Sequence, residues 1–538
     1  MIGPNVLRDL DIDSLVTALP TYTEAGRDAL RARLSAPVDD PNELEMRQAE
    51  IRSIKARVAS SNKQINGLRK QLRDAEADVV SVATASEDKR HAEYYAQILW
   101  DPKSRFAWLN KIGWLSEAII MFRTLLLPGL AIILPIFVFV APLVFYNLFL
   151  NEPLTLHGYF DLIQTSIKKA MPSVLGKPRF AGSGGILELG EKFVHVGVSI
   201  AMFVASIWNQ VSAAINMRSV VADIRRRADS VAVFAKATVE LGAALGVSTP
   251  PTGQTGDQLG LFGEAWNAPA QIHALMETAG RLDMLAAIAL TKRTCFPEYG
   301  SAALKVVDLF HPGLQPKARI YNSLTMGDKD SQRHVLLTGP NRGGKSTLLK
   351  SLGTAVLMSQ TLGVVFARSA TLPIFSHIIT ALAPQDVIGK LSLFEAEIEF
   401  AKEVKALVDT KDSGPVFLMM DEIFHGTNAH DGVEASQVFL DDLYATKAAV
   451  FSVVSTHYMD LPKRYGSSSS SEGRTQNLCM DASVDPNDPD RLIYTYMLKK
   501  GVNEYSSVRE ILRERGLICS KAPCVSAPKK TTEDGSKA

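Results

Sequence analysis

The stretch HVLLTGPNRGGKSTLLK, from His334 to Lys350, constrains this chain more than any other. An apolar run enters a glycine-bearing turn, and the turn enters a leucine-patterned segment. That order reads as strand, tight loop, helix. Gly339, Gly344, Lys345 and Ser346 fit the spacing G-x-x-x-x-G-K-[ST]. Glycines let the backbone fold so that successive N–H groups point inward, and the helix N-terminus adds its positive dipole end. Such a cradle suits nucleotide phosphates. Lys345 supplies a point charge to the outer phosphates, and the Ser346 hydroxyl is a Mg²⁺ ligand. The predicted ATP contacts are Gly339, Pro340, Asn341, Arg342, Gly343, Gly344, Lys345, Ser346 and Thr347. A chance match in a turn is the bland alternative, and the flanking strand and helix patterns count against it.

A phosphate loop of this kind needs a strand that ends in acid. PVFLMMDE supplies Asp421 and Glu422 after an apolar run. Asp421 is expected to hold Mg²⁺ together with Ser346. Glu422 points the other way and is expected to polarise the attacking water. FSVVSTHY, a further strand pattern, leads to His457. A histidine after a strand is ordinarily a packing or capping residue. After these two elements in this order, it is expected to sense the γ-phosphate or orient water, so Glu422 and His457 are the predicted catalytic pair. From about Ala302 apolar runs alternate with helical patterns, which predicts an α/β domain with a largely parallel sheet.

The upstream half reads differently. From Asp11 to Leu99 the pattern is helical and polar, with Leu, Met and Ile three and four apart between charges. It predicts a lever-like or coiled-coil helix, with an ordinary bundle helix as the alternative. From Thr124 to Leu150 there is no charged residue across 27 positions, more than the ~20 that cross a bilayer core. Pro128, Pro135 and Pro142 fall seven apart in it, and lipid-embedded helices tolerate proline. A buried core helix is the alternative. A weaker run, Val194 to Ile215, carries His195, Asn209 and Gln210 but no formal charge. Together the runs predict a two-span hairpin. Lys103, Arg105, Lys111 and Arg123 flank it upstream, and Arg218, Arg225, Arg226 and Arg227 downstream. That bias puts both termini on the cytoplasmic side. The intervening loop has Lys168, Lys169, Lys177 and Arg179, which weakens the vote. The stronger constraint is that a nucleotide-hydrolysing domain must face the ATP pool.

Net charge is +1 with 21% charged residues, which lends no support to a broad basic face for nucleic acid. Cys295, Cys479, Cys519 and Cys524 form no C-x-x-C pair, which argues against a disulfide framework or a zinc site and fits a reducing compartment. The start, MIGPNVLRDLDIDS, has neither the basic nor the apolar region of a cleavable signal. GSSSSSEG near Ser467 reads as a surface loop, and the end from about Lys521 as disordered.

TGPNRGGKST, LSLFEAEI, DEIFHGTNAHDG and STHY, in this order, resemble the ATPase domain of the MutS family. HPGLQPKARIYNSL resembles the segment before that family's phosphate loop, and YTYMLKKGVNEYSSVREIL its closing strand and helix. TYTEAGRDALRARLSAPVDDPNELEMRQAEI and METAGRLDMLAAIALTKR resemble the two ends of its helical core. The resemblance covers about Asp11 to Leu99 and Met217 to Leu517. It implies an α/β P-loop ATPase, ABC-like and equivalent to MutS domain V, preceded by an all-α core and lever domain that here contains two transmembrane helices. The expected parts are 1–115, the first half of the helical core; 116–216, the membrane hairpin; 217–300, the second half; 301–518, the ATPase; and 519–538, a tail. The mismatch-reading and connector domains have no counterpart, and FPE at Phe296 to Glu298 matches the reader's letters in the wrong place. Arg342 stands where methionine is usual, and Phe424 and His425 where Gly-Arg is usual.

The resemblance further implies two protomers that complete each other's ATP sites. Ser392 matches the serine that reaches the partner's γ-phosphate, and Thr427, Asn428 and Asp431 lie in the loop that touches the partner's site. Read alone, Ser392 is a helix N-cap and Asp431 a turn residue. The expected cofactors are ATP and Mg²⁺. The expected partners are a second copy, or a MutS-like heterodimer partner, and a membrane; DNA is admitted by the resemblance but not supported by charge. The leading expectation is a membrane-anchored ATPase that moves helical levers. The alternatives are a DNA repair or recombination protein and an ABC transporter subunit, the last weakened by the small hairpin and the missing LSGGQ-type signature.

Overall fold

The computed structural model describes residues 2–84, 95–149, 186–250, 258–300, 302–329, 331–382, 392–409, 414–466 and 474–518, with single positions at 93, 155, 158, 159, 161 and 165. The loop lysines and arginine at Lys168, Lys169, Lys177 and Arg179, the serine-rich stretch at Ser467 and the tail 519–538 lie outside the described residues.

The chain begins with α1 (Val6–Asp9), α2 (Ile12–Ala18), α3 (Glu24–Leu34) and the long α4 (Pro41–Thr84). A 3₁₀ turn (Ala107–Lys111), α5 (Gly113–Met121), a π turn (Phe122–Leu126) and α6 (Leu127–Phe149) follow. Next come α7 (Ile186–Leu245), α8 (Gln258–Asn267) and α9 (Pro269–Leu290). Strands then alternate with helices: β1 (Leu304–Leu309), β2 (Asn322–Met326), β3 (His334–Thr338), α10 (Lys345–Thr361), β4 (Ser369–Thr371), β5 (His377–Ala381), α11 (Leu393–Val408) and β6 (Val416–Met420). The last elements are α12 (Ala429–Ala445), β7 (Val450–Ser455), α13 (Asp460–Tyr465), β8 (Gln476–Asp485), β9 (Asp488–Lys500) and α14 (Val508–Glu514).

These elements form two compact units. The first joins Met1–Asn66, Gly242–Val247 and Ala279–Ala538; the second joins Gly67–Leu241 and Ser248–Thr278. The cut differs from the five expected parts, because it falls inside α4 and inside α9. Hydrogen bonds explain why the first 66 residues go with the strands. Asp9, buried, accepts from Thr380 Oγ1 at 2.9 Å and from the Leu382 N–H at 3.0 Å. Asp283, fully buried, accepts from the N–H groups of Tyr22 and Thr23 and from Thr23 Oγ1, each at 2.8 Å. Gly26 is required there: a Cβ would collide with the Asp283 carboxylate. A buried carboxylate with three donors stays paired, and losing it would leave those donors unsatisfied.

Within the first unit a six-stranded sheet has the order β5-β6-β7-β3-β8-β9. Its first five strands are parallel, and β9 returns antiparallel to β8. Every residue of β6 and β7 is buried, as continuous apolar strands of a covered parallel sheet require. Leu336, Leu418 and Val454 of the sheet pack with Val404 of α11 and Leu440 of α12 in one core. Leu337 pairs with Ser455 and Met420 with Val454, so the C-terminal ends of β3, β6 and β7 lie side by side, where ligands bind in open α/β sheets.

In the second unit, Val220, Ile224, Ala228, Val231, Phe234 and Leu241 form the buried stripe of α7. Asp78 of α4 accepts from Arg226 at 2.6 and 2.8 Å and from Ser230 Oγ at 2.7 Å. The chain is continuously helical from Gly113 to Phe149. Two membrane spans were expected. Among the described residues one stretch, Gly113–Leu130, is long and apolar enough to cross a membrane, at mean hydropathy 1.2 and 17% burial. The other expected run, Val194 to Ile215, falls on the first half of α7, where the side chains at 186–200 and 203 lie outside the described residues.

Candidate nucleotide-binding site

The loop between β3 and α10 reverses direction through three positive φ angles, at Gly339 (141°), Arg342 (66°) and Gly344 (95°). Gly344 caps α10 in the left-handed region and lines a cleft of about 460 Å³. Pro340 through Thr347 line that cleft, facing His311, Ile320, Asn322, Glu422 and Tyr496. Arg342 is the one non-glycine with positive φ in the loop, a conformation costing roughly 1–2 kcal/mol for an L-residue. Its guanidinium is tied to Glu514 at the end of α14.

Lys345 is buried, and its Nζ donates to Gly339 O at 3.0 Å and Pro340 O at 3.5 Å. Burial lowers its pKa, against the raising effect of Glu422 and Asp421. Ser346 Oγ donates to Asp421 Oδ2 at 2.6 Å. The other oxygen, Asp421 Oδ1, is held by Ser455 Oγ, which also accepts from the Glu422 N–H at 2.9 Å. Two hard oxygen donors thus converge on one point. That suits Mg²⁺, which takes one or two protein oxygens and completes its octahedron with water and phosphate.

His457 Nε2 lies 2.9 Å from Glu422 Oε1 and 3.3 Å from Lys345 Nζ. One ring nitrogen cannot donate to the carboxylate and accept from the ammonium together. Donation to Glu422 is the better use, because Lys345 already has two carbonyls. The bond from His457 is the main cause holding the Glu422 carboxyl below its usual range, with Lys345 and His425 adding to it and burial opposing it. Glu422 and Phe424 both have positive φ, at 55° and 50°. Phe424 is buried against Phe394 and Phe439, and Tyr458 Oη donates to its carbonyl at 2.9 Å. That packing holds a conformation for which glycine, usual here by resemblance, would need no support.

Three of the four residues predicted to act across a dimer, Ser392, Asn428 and Asp431, have partners in their own chain. Ser392 caps α11 in a reciprocal pair with Glu395. Asn428 caps α12, accepting from the Asp431 N–H at 3.0 Å and donating to its carboxylate at 2.6 Å. Thr427 precedes that cap and is half-buried. Glu397 joins the two loops, facing His425 Nδ1 at 3.0 Å and accepting from the Gly426 N–H at 3.2 Å. Within one chain, the capping reading describes Ser392, while Asp431, expected as a turn residue, lies in the first turn of α12 as the partner of its cap Asn428.

Sequence reading missed Ser455 and Tyr496. Ser455 stands in FSVVSTHY as an ordinary strand residue. Only the pairing of β6 beside β7 brings it to Asp421. Tyr496 lies in β9 at φ 57°, and Asn322 secures the irregularity by donating to its carbonyl at 3.0 Å and accepting from the Leu498 N–H at 2.7 Å. No local pattern announces such a position.

A family model described as MutS domain V matches residues 335–516. This part of the chain is a MutS domain V. A "DNA mismatch repair protein MutS" from Pelotomaculum thermopropionicum is 32% identical over 189 residues, 34% of this chain and 21% of that one. The protein of the same name from Bacillus subtilis is 31% identical over 197 residues, 36% of this chain and 22% of that one. An "Endonuclease MutS2" from Lactobacillus johnsonii is 30% identical over 209 residues, 38% of this chain and 24% of that one. The matched region thus spans about a fifth to a quarter of the length of these relatives. The MutS domain V match runs from the second residue of β3 through α14, and so includes the loop, both acids and His457.

Proposed function

We propose that the MutS domain V hydrolyses ATP. The observation that carries this is the meeting of Lys345, Ser346, Asp421, Glu422 and His457 at the shared ends of β3, β6 and β7. The triphosphate lies along the loop, its base toward Tyr496 and Ile320. Lys345 exchanges its two carbonyls for the outer phosphates. Ser346 Oγ and Asp421 Oδ2 hold Mg²⁺, which neutralises phosphate charge when bound. Glu422, kept ionised by His457, takes a proton from water. The water oxygen bonds to the γ-phosphorus, the bond to the β,γ-bridging oxygen breaks, and ADP leaves with that electron pair. Ser392 and the 427–431 loop complete the site of a second copy, whose approach exchanges their capping contacts for phosphate. Phosphate release by the full chain, compared with Lys345→Ala and Glu422→Gln, tests this. Undiminished turnover in both variants would falsify it.

The names of the relatives favour work on DNA, in mismatch repair or in the manner of MutS2. Band shifts with homoduplex, mismatched and branched DNA at stated salt test that reading, and no shift on any of them ends it. A second reading, a membrane-anchored engine on the cytoplasmic side, has one specific observation behind it. Arg225 of α7 pairs with Glu117 of α5 at 2.8 Å. Phe137, the midpoint of the uncharged run 124–150, lies twenty residues beyond Glu117. Ala205, the midpoint of the uncharged run 193–217, lies twenty residues before Arg225. In an antiparallel hairpin fixed at that pair, the two midpoints stand level, as two spans of one bilayer must. Alkaline extraction of membranes from cells making the full chain tests it, and release into the supernatant rejects it.

A further inference from the structure

The segment before α6 is locked in place, yet turns its largest apolar side chains outward. Asn110, buried, accepts from the Trp100 N–H and donates to Trp100 O and to Asn267 Oδ1, at 2.8, 2.8 and 2.9 Å. Asn267 donates to Ala107 O at 2.7 Å, and Trp266 Nε1 to Trp100 O at 3.0 Å. These bonds clamp residues 100–110 to α8. A Cβ on Gly263 of α8 would run into the Asn110 carbonyl, so the contact is close as well as polar. Despite this, Trp100 is 41% exposed, Phe106 52%, Trp108 59% and Trp114 72%. A floppy segment could expose such rings by accident; a clamped one holds them there.

The pattern continues along the helix. Trp114, Ala118, Met121 and Leu125 are exposed at spacings of four, three and four, one stripe that runs from α5 into the π turn before the uncharged α6. Beside it lies a groove of about 490 Å³ lined by Ile98, Leu99, Trp100, Ile119, Phe122 and Arg123. The charge around the rings is predominantly positive. Lys103, Arg105 and Lys111 are exposed and have no ion-pair partner among the described residues. Of the two acids between residues 95 and 126, Glu117 is taken by Arg225, and Asp101 accepts from the Lys103 backbone N–H at 2.7 Å. Tryptophan with lysine and arginine at the foot of an uncharged helix is the composition of a bilayer interface, where amphipathic rings rest among headgroups. Basic side chains there attract anionic lipid.

We propose that Trp100, Phe106, Trp108 and Trp114, with Lys103, Arg105 and Lys111, form a collar seated in the headgroup layer of a bilayer containing anionic phospholipid. The collar rests on the membrane-anchored reading and adds to it the depth at which the chain enters lipid and the headgroup charge it selects.

The test uses the full chain in vesicles, with Trp100→Phe, Trp208→Phe and Trp266→Phe so that only Trp108 and Trp114 emit. Phospholipid brominated near the headgroup end of its chains should quench strongly, and acrylamide weakly. Brominated phosphatidylglycerol should quench more than brominated phosphatidylcholine. Lys103→Gln, Arg105→Gln and Lys111→Gln should each reduce that preference by about fivefold. If the triple phenylalanine variant fails to fold, the unaltered chain serves: Trp108→Phe and Trp114→Phe should each remove part of the lipid-quenched emission. A chain that floats with vesicles while acrylamide quenches both rings freely keeps its anchor and loses the collar. Rings shielded from acrylamide and bromine alike are covered by protein, which also overturns it. A chain that does not float at all removes the anchoring reading itself.

Discussion

Lys345 is 5% exposed and Trp114 is 72% exposed. The two residues invert ordinary burial in opposite directions, in different units of the same chain. A lysine is buried only where partners offset its desolvation, and here two loop carbonyls and two nearby carboxylates do so. Exposed tryptophans that gather with other apolar side chains in one patch mark a surface whose usual neighbour is something other than water. The polar inversion carries its compensation within the fold. The apolar inversion has none among the described residues. That contrast separates a site whose chemistry is assembled by the chain from a surface whose meaning depends on the medium.

Four outcomes would break or sharpen the comparison. The largest is expected at the polar site: Glu422→Gln should cut phosphate release by about 10²–10⁴-fold, the contribution of a positioned general base, while nucleotide still binds in an equilibrium assay. Next is the apolar helix. Phe137 is 64% exposed. Phe137→Arg should cost about 2.5–3.5 kcal/mol of insertion if that surface meets lipid, but under about 0.5 kcal/mol if it meets water. The membrane-to-soluble ratio of the variant and the melting of its soluble fraction decide which.

A third outcome concerns the strand beneath the loop. His334 bonds Ser452 Oγ at 2.8 Å and lies against Tyr444, and burial pushes its pKa down to about 4. The unfolded chain binds that proton at its ordinary value of 6.5, so below it the unfolded state gains protons that the folded state refuses. Stability is therefore full above pH 6.5 and falls by roughly 2–3 kcal/mol as pH drops to about 4. Denaturant titrations of the chain and of His334→Phe should differ in that window and nowhere above it. The smallest effect is at Glu422. Its depressed pKa contributes above the ordinary 4.5 and is lost as pH falls through the lower folded value. The group is half-exposed, so the gain in stability is slight. His457→Gln should move the acid limb of the rate profile up toward 4.5; an unmoved limb would show that His457 does not tune the carboxylate.

The sequence made some of this legible for a definite reason. A loop that wraps phosphate needs glycines at set positions, a lysine and a hydroxyl, all within eight residues, so GPNRGGKS declares itself. DE after PVFLMM does so because strand and acids are contiguous. Ser455 was not legible, because its role depends on β7 lying beside β6 rather than on its neighbours in sequence. Ser392 and Asp431 were legible in two ways, as a cap and a turn residue or as contacts to a partner; the single chain realises the Ser392 cap and sets Asp431 against the Asn428 cap, and the second role awaits a second copy. Arg342 looked like a loop departure. Only α14, folding back with Glu514, gives it a partner that supports its left-handed backbone.

The residues alone pointed to a phosphate loop and to the acids that would serve it, because phosphate chemistry is local and its side chains recur at short, fixed spacings. They determined equally that 27 consecutive positions carry no charge. The tertiary structure decided what long separations decide: that the first 66 residues join the strands through Asp9 and Asp283, that Ser455 steadies Asp421, and that a segment clamped by Asn110 presents its tryptophans outward. Those outcomes rest on groups tens to hundreds of residues apart meeting at hydrogen-bond distance, which no window along a sequence contains.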